Sequence, residues 1–157
     1  MKIYDCFMFF DEEMLLDLRL NIMNEYVDKF VITEATYTHS GRSKKLIFDI
    51  NKFSKFKDKI IYIVVDKEPE DLFKIYESDE DEQDTKGQKL ILNGYKRDNF
   101  QRQMAQKALE NIEPEDWIII NDIDEIPNLK NINFEKIKNR FIIFKQDIFY
   151  YKFNLFY

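Results

Sequence analysis

Residues 59–66 read KIIYIVVD, an unbroken apolar run from Ile60 to Val65. A run this short has the length of a strand, not of a helix. With no polar residue interleaved, it demands cover on both faces, as in a parallel sheet with helices packed on either side. That one stretch predicts an α/β protein and obliges the rest of the chain to supply helices and further strands.

The rest of the chain does so. IYDCFMFF (3–10) reads as a strand. Asp11 can cap a helix reaching to about residue 26, with Leu15, Leu18, Ile22 and Tyr26 on its inward face and Asp17, Arg19 and Asn21 elsewhere. KFVITEA (29–35) reads as a second strand, followed by the polar loop TYTHSGRSKK and a short helical or irregular piece at 48–59. The pattern fails from 68 to 89, and ESDEDEQD (77–84) has the composition of a solvated loop, so an acidic loop is expected at about 77–89. Residues 97–111 read as a helix with Phe100, Met104, Ala108 and Leu109 inward. WIIIND (117–122), FIIFKQD (141–147) and IFYYKFNLFY (148–157) read as strands. Strands alternating with helices predict a single domain over 1–157 with a mostly parallel sheet flanked by helices. Ligands of such sheets bind in the crevice beyond the carboxyl ends of the strands.

The strand at 117–122 runs into such an end as WIIINDIDEIPN, closing an apolar stretch with Asp122, Asp124 and Glu125. Neighbouring carboxylates repel and resist desolvation, and a cation removes that cost. If the chain stays extended through residue 124, Asp122 and Asp124 point to one side about 6–7 Å apart, and Glu125 to the other. Oxygen-only ligands in that arrangement suit Mg²⁺ or Mn²⁺, which keep positions open for water and substrate phosphates. The alternative is that the acids terminate a strand and shape a turn before Pro127. The acidic run at 77–84 is not an EF-hand: the glycine and terminal glutamate of that loop are missing. A lone histidine, His39, cannot build a histidine-rich metal site.

Charge and cysteine content bound the surroundings. A net charge of −6 argues against a general nucleic-acid binder. Cys6 is the single cysteine, so no intrachain disulfide forms, and a reducing compartment fits. No apolar run approaches the roughly 18 residues of a membrane span, and the first residues do not read as a signal peptide. A soluble, cytoplasmic protein is expected.

The stretches FDEEMLLDLRLNIMNEYVDKFVITEATYTHSGRSKKLIF, NFQRQMAQKAL and WIIINDIDEIP together resemble glycosyltransferase family 17, whose members are N-acetylglucosaminyltransferase-like. The resemblance runs over about residues 3–127 and rests on the order of T-H-S-G and D-I-D-E-I-P. It implies a GT-A-like fold, a UDP-sugar donor (N-acetylglucosamine as the sugar), a glycan acceptor and inverting transfer. Carried onto this sequence, it makes Asp122 and Asp124 the metal ligands, with Glu125 orienting a ligand or a backbone amide. Glu34 becomes a donor-binding residue, with a solvated strand-end acid as the alternative. His39 and Ser40 become donor contacts, with a loop-ordering hydrogen bond as the alternative for His39. Arg102 reaches the diphosphate or pairs with an acid. Arg19 has the same two readings, as have Arg42, Lys44 and Lys45 between phosphate and solvent. Asp147 is the remaining candidate for the general base. The chain ends where an acceptor-binding half is expected, so a second copy or another chain is expected to pack on the C-terminal strands.

Three other readings compete. A haloacid-dehalogenase-type phosphotransferase or phosphatase also ends a strand in D-x-D, but near the chain start. A glycoside hydrolase would need Glu125 on the face of the aspartates, where strand parity does not put it. A non-catalytic or decayed sugar-nucleotide-binding fragment is the third.

Overall fold

The computed structural model describes residues 1–76 and 85–147. The acidic run at 77–84 and the expected strand at 148–157 lie outside the described residues. Four strands, β1 (Ile3–Met8), β2 (Lys29–Ala35), β3 (Ile60–Val65) and β4 (Trp117–Ile120), form one sheet in the order β3-β2-β1-β4, all parallel. Helix α1 (Glu13–Met23) links β1 to β2, and α2 (Thr85–Gln103) precedes β4, continuing as a 3₁₀ segment through Met104–Ala108. The chain is thus an α/β protein with a parallel sheet, as the apolar runs require.

β1 and β2 are the interior strands, and their side chains are buried on both faces. Strand alternation sends Ile3, Phe7, Phe30 and Ile32 to one face, where they meet Leu16, Leu20 and Met23 of α1. Tyr4, Cys6 and Val31 face the other way, onto Ala105, with Ala108 and Leu109 packed behind. Each of the large α1 side chains contributes about 1.5–3 kcal/mol by leaving water. KIIYIVVD, the run that implies full cover, turns out to be the edge strand β3. It is only half-buried, because no fifth strand pairs beyond it among the described residues.

Three further expectations are corrected. The buried residues of α1 are Leu16, Arg19, Leu20 and Met23; of the expected face, Leu15 and Tyr26 pack against the core, while Leu18 and Ile22 are exposed. Both sets have helical spacing. The winning face contains an arginine, which a hydropathy reading puts in water, and the reason is Asp5 on β1: the two side chains pair in the core. α2 begins at Thr85, twelve residues before the expected start and inside the expected loop. Gly87 and Gly94 weaken its helical signal. Residues 141–147 are not a strand: they have no regular structure, and Phe141 and Ile143 lie in the open. An apolar run becomes a strand only where a neighbour accepts its backbone hydrogen bonds.

Candidate functional site

The sheet order places β2 on one side of β1 and β4 on the other, so the strand order reverses between β1 and β4 and a crevice is left at their carboxyl ends. The crevice left there is the place where open α/β sheets bind ligands. It is a cavity of about 640 Å³, walled by Phe9 and Phe10 after β1, Thr38–Ser40 after β2, Arg97, Asp98 and Gln101 of α2, and Asp122–Asp124 after β4. That size is ordinary for a small-molecule site. His39, Ser40, Asp122 and Asp124 therefore line one crevice.

The T-H-S-G turn is fastened to α2. Gly41 sits at φ +81°, a conformation that L side chains rarely adopt, and a Cβ there would also strike the Arg97 guanidinium at 2.5 Å. Arg97 pairs with Glu68 through Nε and donates to the His39 carbonyl through Nη1 at 3.3 Å. The imidazole of His39 lies against the backbone of Gly94, so that a Cβ at 94 would come within 2.0 Å of Nε2. Its Nδ1 is 3.1 Å from Asp98 Oδ1. The histidine thus docks the turn on the helix while bordering the crevice. Ser40 shares a 3.0 Å hydrogen bond with the Thr38 hydroxyl.

The acids after β4 do not continue the strand. The chain turns at 122–125, with the Glu125 amide donating to the Asp122 carbonyl at 3.0 Å and the Ile126 amide to that of Asp124 at 3.1 Å. The extended geometry, with two aspartates on one side by alternation, is therefore replaced by a turn that still leaves both on the crevice wall. Glu125 accepts the Asp122 amide hydrogen at 3.1 Å, so it orients a backbone amide. Arg102 donates to Asp122 Oδ1 at 2.8 Å, which relieves the charge on one aspartate. The Asp124 carboxylate is exposed and has no hydrogen bond or ion pair among the described residues. Beneath the turn, Arg19 is fully buried. Its Nε and Nη2 grip Asp5 at 2.9 and 2.7 Å, and its Nη1 donates to the carbonyls of Asp122, Ile123 and Glu125. Arg19 does not line the crevice.

Glu34 is not brought to the crevice either. Strand alternation turns Thr33 toward α2 and Glu34 toward the face of α1, where residues 44–48 close over it. It is fully buried and accepts from Lys44, from the amides of Ile47 at 2.9 Å and Phe48 at 3.1 Å, and from the Tyr62 hydroxyl at 2.7 Å. Burial raises its pKa, but Lys44 and these donors outweigh burial and hold the carboxyl below its ordinary value. Asp147 also stands apart, in a wider cleft on the outer side of β4 that includes Asp124 and Glu125 in its wall. Sequence reading missed Arg97, Asp98 and Gln101. Their signal is the spacing of 97, 98 and 101, which puts them on one face of the helix expected over 97–111.

Among the described residues, no three His, Cys, Asp or Glu side chains are arranged to hold a metal ion. Asp122 and Asp124 alone fit the mode in which Mg²⁺ or Mn²⁺ takes one or two carboxylates and completes its shell with water and substrate phosphate. They do not fit an all-protein cage.

The family model for glycosyltransferase family 17 matches residues 1–155. Three curated proteins bear the name beta-1,4-mannosyl-glycoprotein 4-beta-N-acetylglucosaminyltransferase. Those of Homo sapiens and Rattus norvegicus are 30% identical to this chain over 127 residues, and that of Mus musculus is 29% identical. Each match covers 78% of this chain but 21% of the relative, so the chain spans about a fifth of the length of the curated relatives it matches. No solved structure matches the chain. No helix among the described residues is long and apolar enough to cross a membrane.

Proposed function

We propose, on the premise that this chain belongs to glycosyltransferase family 17, that its crevice binds a UDP-sugar for transfer of N-acetylglucosamine to a glycan acceptor. The observation that carries the reading is the meeting of the T-H-S-G turn and the D-I-D turn on one crevice at the switch point of the sheet. The curated relatives are named for N-acetylglucosaminyl transfer to a mannosyl glycoprotein, which supports the choice of sugar and of acceptor class.

In this reading Asp122 and Asp124 would hold Mg²⁺ or Mn²⁺ together with the donor diphosphate. The bound cation would supply Lewis-acid stabilisation of the departing diphosphate. Arg102, which pairs with Asp122, stands beside the position the diphosphate would take and would supply it a positive charge. His39 holds the T-H-S-G turn on α2 so that Ser40 and the backbone face the donor. Glu125 keeps the Asp122 amide in place. Asp147 faces the cleft on the outer side of β4. As the base of an inverting transfer it would therefore need an acceptor that crosses the Asp124 rim. Glu34 has no part in donor binding here; its role is to close the 44–48 segment over the sheet.

The test is thermal denaturation with UDP-N-acetylglucosamine, in Mn²⁺ and in EDTA. Ligand at a hundred times its Kd raises Tm by about 5–11 °C for a chain of this size. That rise is expected with Mn²⁺, and it should vanish with EDTA or in Asp124→Asn. Equal stabilisation in EDTA would remove the metal role, and no stabilisation in either would remove the donor.

A further inference from the structure

We infer that Asp5 and Arg19 form a positioning pair that sets the backbone of the acidic turn from inside the core and so aims Asp122 and Asp124 into the crevice. What the turn binds rests on the function proposed above; how the turn is held does not.

Arg19 and Asp5 are both completely buried; among the described residues the Lys44–Glu34 pair comes nearest to that, and pairs such as Lys52–Glu13, Lys96–Asp71 and Arg102–Asp122 lie at or near the surface. A buried ion pair gives little stability over apolar packing of the same volume, so stability alone does not account for this one. The geometry supplies the account. Asp5 projects from the central strand β1 and fixes two nitrogens of the guanidinium at 2.9 and 2.7 Å. The Phe7 ring, 4.7 Å from the guanidinium carbon, supports the group from the same strand. That leaves Nη1 aimed at the turn, where it donates to the carbonyls of Asp122 at 2.8 Å, Ile123 at 3.2 Å and Glu125 at 3.1 Å. Three carbonyls converging on one point repel unless a cation sits there. The turn's own bonds, from the Glu125 amide to the Asp122 carbonyl and from the Asp122 amide to the Glu125 carboxylate, do not tie it to the sheet. Arg19 does, and it relays the position of β1 to the two aspartates. A planar fork is required: a lysine ammonium has neither the reach nor the fixed angles to serve a carboxylate and three carbonyls at once.

Two variants test the pair. Arg19→Lys keeps a charge beside Asp5 but loses the fork. Asp5→Leu with Arg19→Met removes both charges and refills the core. The first readout needs no ligand: amide hydrogen exchange at Asp122 and Glu125, compared with amides in β1 and β2. Faster exchange in the turn with unchanged exchange in the strands is expected. Turn and strand amides changing by the same factor, or neither changing, would overturn the inference, because a merely structural pair acts on the whole fold. The second readout is UDP affinity in Mn²⁺, which should fall by about 10- to 100-fold, the usual cost of losing a group that orients metal ligands. Unchanged affinity with a loosened turn would refute the aiming role. A wild-type protein that fails to bind UDP would sink the proposed function, while the exchange comparison still decides whether the pair holds the turn.

Discussion

Two glycines in one helix should respond to alanine with opposite signs. In α2 a Cβ at Gly87 would meet nothing within 4 Å, whereas one at Gly94 would meet His39 Nε2 at 2.0 Å and Cδ2 at 2.4 Å. Alanine is favoured over glycine in a helix by up to about 1 kcal/mol, so Gly87→Ala should stabilise by some part of that. Gly94→Ala has the same gain in propensity. Against it stands about 1–3 kcal/mol for forcing atoms into an occupied site, which here includes the contact between His39 and Asp98. The net expectation for Gly94→Ala is a loss of about 0–2 kcal/mol, and the two variants should differ by about 1–3 kcal/mol. Urea unfolding followed by the fluorescence of Trp117, the single tryptophan, measures both. The double variant His39→Ala/Gly94→Ala closes the cycle. With the imidazole gone, alanine at 94 should regain its helical advantage, giving a coupling of about 0.5–3 kcal/mol. Gly94→Ala as stable as Gly87→Ala would refute the docking of the T-H-S-G turn on α2. So would a coupling within about 0.3 kcal/mol of zero.

The face of α1 is open to the same kind of test: Leu16→Ala, in the core, should cost about 2–5 kcal/mol, and Leu18→Ala, on the exposed side, within about 0.5 kcal/mol. Equal losses would mean that the helix is rotated from the position described. Glu34→Gln should cost about 1–3 kcal/mol at neutral pH, since it leaves Lys44 without its charged partner. Because the folded-state pKa of Glu34 is depressed, its contribution is complete above the unfolded value of about 4.3 and is lost as pH falls through the folded value. The stability curves of wild type and Glu34→Gln should therefore converge in acid, and a constant gap down to low pH would contradict the clasp.

Much of this molecule can be read from residue order. The runs 3–10, 29–35, 59–66 and 117–122 each contain a strand of the sheet, because short β-branched and aromatic runs suit a pleated surface with paired neighbours. Their alternation with helices fixes a parallel sheet and puts the D-I-D and T-H-S-G segments at its carboxyl end. What failed failed for identifiable reasons. FIIFKQD has the composition of a strand but pairs with no neighbour among the described residues. The first half of α2 carries glycines that weaken a helix, and one of them is there to admit a histidine distant in sequence. Glu34 ends a strand next to the crevice, yet alternation points it to the other face, and the segment that covers it comes ten residues later.

The sequence by itself determined the four strands of the described sheet, the end of the sheet at which a ligand can bind, and that Asp122 and Asp124 stand there. Only the tertiary structure decided how those acids are held. Hydropathy puts Arg19 outside the inward face of α1 because it counts a charge as a cost, and the expected pairing with an acid names neither the partner nor its depth. The cost disappears when a carboxylate on β1 and three carbonyls from a turn more than a hundred residues away converge on one guanidinium. Such convergence is a property of distances across the sheet. No local pattern encodes it, and it turns the most polar position of α1 into the centre of the fold.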